Sequence, residues 1–163
     1  MKESDLTIPA GDGLLNIRVG AIIRRGGKVL MVSNPAVSYF YSVGGRLRFG
    51  ETTEEAVERE VFEETGVRMK VERLGFIHEN YFTGDSGFAI GLPIHEIAFF
   101  FYMDVPADFE PTGASYTNLG DREKLEWIDP RTETRAFFPR FFKDELQNPC
   151  PTVKRIVTRE WQE

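Results

Sequence analysis

Three carboxylates near the middle of the chain are spaced so that they can act together. Glu60, Glu63 and Glu64 lie within GGRLRFGETTEEAVEREVFEETGV, residues 44–67. At about 100° per residue, a helix places Glu64 about 40° to one side of Glu60 and Glu63 about 60° to the other. All three then share one face. Like charges four residues apart repel, and acids in a last turn oppose the helix dipole, each costing a few tenths to about 1 kcal/mol. Three carboxylates this close cannot all ionise cheaply without a counter-charge. Arg59 is a single guanidinium and cannot balance them. A hard divalent cation can, and clustered carboxylate oxygens suit Mg²⁺ or Mn²⁺ better than zinc. Such a cation would attract a polyphosphate and lower the pKa of a bound water for attack. Gly44 and Gly45 would let the backbone approach the metal or phosphate closely.

The flanking sequence supplies the elements that must hold these groups. Thr52 with Glu55 forms a capping-box pattern, and Gly66 is the stop, so a helix is predicted between them. Leu15 to Ile23 alternates as a half-buried strand, and Gly26-Gly27 marks a hairpin into the apolar strand Val29–Val32. Further strands are expected at Phe40–Val43, Val67–Val71, Leu74–Phe82, His95–Val105 and Leu125–Ile128. Residues 83–93 are turn-rich and long for a hairpin connection, which favours a binding loop, and residues 106–120 form a second polar loop. Phe137–Leu146 has helical spacing, while the β-branched tail Val153–Thr158 reads as an edge strand. Residues 1–13 are a polar lead-in. With 163 residues and no repeat or linker, a single α/β domain is expected over 1–163.

Gly45, Glu51, Arg59-Glu60-Val61, Glu63-Glu64 and Gly66-Val67 match the Nudix box GX5EX7REUXEEXGU without a gap. The chain therefore resembles the Nudix hydrolases, specifically through the box and more loosely through its order of strands and helices. The resemblance implies an α/β/α sandwich with a mixed, partly antiparallel sheet. It implies a metal-dependent pyrophosphohydrolase cleaving a nucleoside diphosphate derivative by attack of metal-activated water. Glu60, Glu63 and Glu64, joined by the Gly44 carbonyl, are the implied Mg²⁺ or Mn²⁺ ligands, with Arg59 and Glu51 orienting them. Many members carry proline before the two glycines, where this chain has Val43. A non-catalytic Nudix-fold sensor for a nucleotide or sugar phosphate is the alternative.

Family members often need one more carboxylate, as ligand or base, from outside the box. Asp121 and Glu123 resemble that position best, with Glu96 third, and Glu60 could itself be the base. For each outside carboxylate, an ordinary surface charge is an equally good reading. Arg46 and Arg48 could meet substrate phosphates or simply neutralise the glutamates. Tyr81 and Phe82, beside the long loop, are candidates to stack on a nucleobase. The proline typical of ADP-ribose hydrolases falls on Phe82 or Thr83, and the NADH-type and coenzyme-A-type signatures are absent, so the substrate within the class is not selected.

Between Glu51 and Glu64 there are seven glutamates and one basic residue, and the rest of the chain is balanced, so this segment alone carries the net charge of -6. With no basic cluster, duplex nucleic acid and anionic membranes are unsuitable partners, leaving a small nucleotide-type substrate. No stretch is apolar enough to span a bilayer or resembles a signal peptide, and the lone Cys150 suits a reducing compartment. A cytoplasmic protein is expected. A homodimer through exposed strands is an expectation by analogy with the fold only.

Overall fold

The computed structural model describes residues 4–111, 114–116 and 122–161. Their strands are β1 (Thr7–Ala10), β2 (Gly13–Ile22), β3 (Arg24–Arg25), β4 (Lys28–Ser33), β5 (Phe40–Ser42), β6 (Gly44–Arg46), β7 (Lys70–Thr83), β8 (Pro93–Asp104), β9 (Ala114–Tyr116), β10 (Arg122–Ile128), β11 (Phe137–Phe138) and β12 (Lys154–Arg159). Helix α1 spans Thr53–Thr65 and the single-turn α2 Phe142–Glu145.

The strands divide between two sheets. One runs β1-β2-β8-β7-β12 with β6 also on β2, and the other runs β11-β5-β4-β10-β9 with β3 on β4. Pairing is mixed: β2 with β8, β7 with β12 and β5 with β11 are parallel, and the remaining pairs are antiparallel. Two apolar clusters join the sheets. Val57 and Val61 of α1 pack with Val19, Ala21, Leu30, Val32 and Leu125 in the first, and Phe142 and Leu146 pack with Phe76, Phe100, Met31 and Phe40 in the second.

β2 departs from simple alternation. Val19 to Ile22 are all buried, because this stretch lies between β6 and β8 and meets a packed layer on each face. The polar lead-in contributes β1, whose hairpin with β2 turns at Gly11 and Asp12. The expected helix over Phe137–Leu146 is mostly not formed. Phe137 and Phe138 extend along Phe40 and Tyr41, and helix is confined to Phe142–Glu145. Pro139 explains this, since it disfavours the α region for the residue before it and carries no amide hydrogen. Within the second polar loop, Ala114–Tyr116 pairs with β10. The tail is an edge strand, parallel to β7. No helix among the described residues is long and apolar enough to cross a membrane.

His78 is buried beneath this edge, with Nε2 2.9 Å from Thr158 Oγ1 and its ring edge-on to Phe141. Burial pushes its pKa down to about 4. The unfolded chain then binds the extra proton more readily, so stability is lost as pH falls from about 6.5 towards 4. We expect a loss of up to about 3 kcal/mol over that window. Urea unfolding at several pH values should show it, with a shallower slope in His78→Gln.

Candidate active site

The site grows from the junction of β6 and α1. Thr52 caps the helix through its hydroxyl, which accepts from the Glu55 amide, and the Glu55 carboxylate accepts from the Thr52 amide at 2.8 Å. Gly66 closes it in the left-handed conformation, φ 74°. The helix buries Ala56, Val57 and Val61, which turns the face bearing Glu60, Glu63 and Glu64 towards β6. No basic residue occupies the last turn, so the unfavourable placement of these acids is uncorrected within the helix itself.

Arg59 is the hub. Its Nε and Nη2 donate to both oxygens of Glu51, at 2.6 and 3.0 Å, in a planar fork. Nη1 donates to Glu60 Oε1 at 2.6 Å and more weakly to Glu63 Oε2 at 3.4 Å, and Nη2 also reaches the Arg46 carbonyl at 3.2 Å. Glu51 additionally accepts from the Arg48 amide. These hydrogen bonds, chiefly those from Arg59, hold its carboxyl below the usual range. One guanidinium thus ties the β6 backbone, the loop acid and two of the three helix acids together.

Glu64 is in a different state. Its Oε1 accepts from the Gly44 amide at 2.9 Å. Burial, reinforced by the charges of Glu60 and Glu123, pushes its pKa up to about 8, against the opposing pull of the Gly44 amide and Arg18. Gly44 itself has φ 148° and packs so tightly on β2 that a Cβ would lie 2.3 Å from the Val19 carbonyl oxygen. At Gly45 a Cβ would lie 2.4 Å from Glu60 Cδ and Oε1, so the missing side chain is the space the Glu60 carboxylate occupies.

Glu123 joins this centre from β10. Its Oε1 accepts the Tyr41 hydroxyl proton at 2.6 Å, and its charge is felt at Glu64. Asp121, the companion candidate, lies outside the described residues. Glu96 does not belong here. Its Oε2 accepts from Asn16 Nδ2 at 2.7 Å, and Asn16 in turn accepts from Thr7, a ladder that satisfies a buried amide across β1, β2 and β8. Arg48 Nη2 lies 3.7 Å from Glu63, whereas Arg46 turns towards Asp5 at 3.7 Å and stands 5.8 Å from the Phe88 ring centre. Tyr81 is not an open platform: His95 stacks on it at 4.4 Å, Arg159 lies 4.7 Å away and Trp161 meets it edge-on. The Phe82 carbonyl accepts from Trp161 Nε1, and no contact joins Phe82 to the acidic cluster among the described residues. Tyr41 and Arg18 were not legible as site residues. Tyr41 stands 82 positions from its partner, and Arg18 reads as one polar step of an alternating strand.

A family model for the NUDIX domain matches residues 14–144. The chain belongs to the Nudix family. A "MutT-like protein" of Streptomyces ambofaciens is 36% identical over 61 residues, covering 37% of this chain and 40% of that protein. An "ADP-ribose pyrophosphatase" of Methanocaldococcus jannaschii is 35% identical over 92 residues, covering 55% and 50% respectively. The chain thus matches half or less of the length of these relatives. The fold matches a solved MutT protein of Bacillus halodurans with a TM-score of 0.57 at 20% identity, over 89% of this chain and 91% of that one.

Nudix proteins are associated with a divalent cation, and the donor chemistry here fits one. The convergent groups are carboxylates, without a histidine or cysteine among them. Glu60 Oε2 and Glu64 Oε2 accept no hydrogen bond among the described residues, and burial of Glu64 outweighs the groups that favour its ionised form. The side chains as they stand are not gathered into a coordinating cluster among the described residues. Arg59 draws Glu60 and Glu63 towards itself, and mutual repulsion opposes a closer approach.

Proposed function

We propose that this Nudix protein is a metal-dependent pyrophosphohydrolase that splits the diphosphate linkage of a nucleoside diphosphate derivative. The observation that carries this reading is the placement of Glu60, Glu63 and Glu64 on one face of α1 beside β6, with Arg59 and Glu51 bracing them and the Gly44 amide holding Glu64. Mg²⁺ or Mn²⁺ held by these three carboxylates, with the Gly44 carbonyl, would neutralise substrate phosphate charge and acidify a water. Arg59 limits the freedom of Glu60 and Glu63 before substrate arrives, so less ordering is required on binding. Among the described residues, Glu123, held by the Tyr41 hydroxyl, is the carboxylate outside the box that we assign to receive a proton from attacking water. Arg48, 3.7 Å from Glu63, would meet substrate phosphate oxygens bound beside these acids. An outgoing nucleotide carries charge that these fixed cationic groups stabilise without reorganising.

Arg59→Lys is expected to lower kcat about 10- to 100-fold with little change in thermal stability. A lysine cannot reproduce the fork to Glu51 while also holding Glu60. Steady-state kinetics beside a melting curve would check this.

The decisive test is a product-resolved screen of nucleoside diphosphate sugars, dinucleotides and nucleoside triphosphates with Mg²⁺ and Mn²⁺. The kinship with an ADP-ribose pyrophosphatase puts nucleoside diphosphate sugars first. Metal-dependent cleavage between two phosphorus atoms is the expected result. Tight nucleotide binding with no cleavage under either metal would overturn the reading in favour of a sensor.

A further inference from the structure

β10 has two faces with opposite character. Glu123 points to the acidic centre, so Arg122 and Lys124, one residue to either side, emerge on the other face. Lys124 is in register with Ser33 at the end of β4, and residues 34–39 then cross to β5. Arg135 arrives from the segment before β11, its guanidinium 3.9 Å from the centre of the Phe40 ring. Together with Ser33, Asn34 and Tyr39, these three cations line a cavity of about 500 Å³, within the range of small-ligand sites.

The charge balance of this cavity is uneven. Arg135 is forked onto Glu133 at 3.0 and 3.1 Å, and Lys124 lies 3.6 Å from Glu126, which also accepts from Ser33. Among the described residues, Arg122 has no ion pair and no carboxylate lines the cavity. A chain of net charge -6 therefore gathers three cations around one concavity. Lys124 and Arg135 are each matched by a carboxylate, Glu126 and Glu133, whereas Arg122 has no such partner among the described residues.

Position adds to composition. The Tyr39 ring, in the cavity wall, meets edge-on at 6.4 Å that of Tyr41, whose hydroxyl donates to Glu123. The wall of the cationic cavity and the acidic centre thus connect through Tyr39, Tyr41 and Glu123. We propose that the cavity is an anion-binding site for a phosphate group, which, resting on the hydrolase reading above, is carried by the part of the substrate beyond the scissile diphosphate. Arg122 and Lys124 supply the charge, Arg135 completes the wall, and Ser33 and Asn34 supply neutral hydrogen-bonding groups.

The test uses the full chain without divalent metal, titrated with inorganic phosphate in a calorimeter. Saturable, salt-sensitive binding is expected, weakened at least about tenfold in R122A/K124A. Both residues are exposed strand positions, so the double variant should fold, and its melting curve checks that. E63Q/E64Q should bind phosphate like the parent chain. Absence of saturable binding, or equal binding by R122A/K124A, would overturn the proposal. Kinetics separate the two sources of the phosphate. If it belongs to the substrate, R122A/K124A raises KM for substrates whose second half carries phosphate. If it is free phosphate acting as an effector, that KM is unchanged and added phosphate no longer alters the rate. A chain that binds phosphate in this way yet hydrolyses nothing keeps the anion site and loses the hydrolase reading.

Discussion

Glu63→Gln and Glu64→Gln are each expected to reduce turnover on the order of a thousandfold while the protein stays folded. The amide is nearly the same size as the carboxylate but carries no charge for a cation and is a poorer ligand. For Glu64 the stability outcome should run opposite to the activity outcome. Its carboxyl has a pKa of about 8 because it is buried near Glu60 and Glu123. An acid whose folded pKa lies above its unfolded value of 4.5 stabilises the fold most below that value. The contribution is lost as pH rises from about 4.5 through 8. Glutamine keeps an oxygen for the Gly44 amide and has nothing to ionise. Metal-free Glu64→Gln should therefore melt above the parent at pH 8, and added Mg²⁺ should raise the parent's melting temperature more than the variant's. Loss of turnover with gain of stability marks a residue kept for chemistry. Full turnover in both variants would sink the assignment.

Gly45→Ala should lower turnover about a hundredfold with only a small change in melting temperature. The added methyl would stand 2.4 Å from the Glu60 carboxylate. That carboxylate ends a flexible side chain, so it can swing aside, giving up its 2.6 Å bond from Arg59 and its place in the centre. The backbone need not move. Gly44→Ala is a useful contrast, because there the methyl would meet the Val19 carbonyl oxygen at 2.3 Å and φ is 148°. Neither obstacle is the end of a side chain, so that variant should lose fold stability, by about 2 kcal/mol or more. Melting curves and initial rates on the two alanine variants would separate the local displacement of one ligand from damage to the sheet. Equal activity of Gly45→Ala and the parent would show that Glu60 need not occupy this position.

The helix and its acidic face were readable because they depend on neighbours three and four residues away. The Thr52–Glu55 box and the Gly66 stop are local hydrogen-bonding and torsional preferences, and the helical period then places Glu60, Glu63 and Glu64 together. The fork of Arg59 onto Glu51 spans eight positions and was anticipated from the box as an orienting pair. Outside the box, the same residue types were ambiguous. Glu96 and Glu123 are both glutamates on strands, and only the pairing of those strands sends one to Asn16 and the other to Tyr41. Tyr81 sits beside the long loop as expected, but His95, Arg159 and Trp161 converge on it from distant segments. The phenylalanines from Phe137 to Phe142 keep a helical spacing, yet Pro139 and the parallel pairing with β5 divide them between a strand and a turn of helix.

What the sequence by itself determined was the acidic face, its caps and the glycines before it, since backbone periodicity and steric size decide these without the rest of the chain. Only the tertiary structure decided that Glu96 turns to Asn16 and Glu123 to Tyr41, which aromatic rings are already occupied, and that three cations surround a cavity behind Glu123. Those outcomes depend on how two sheets meet, and contacts between residues some 80 to 100 positions apart leave no periodic trace in the residues that make them.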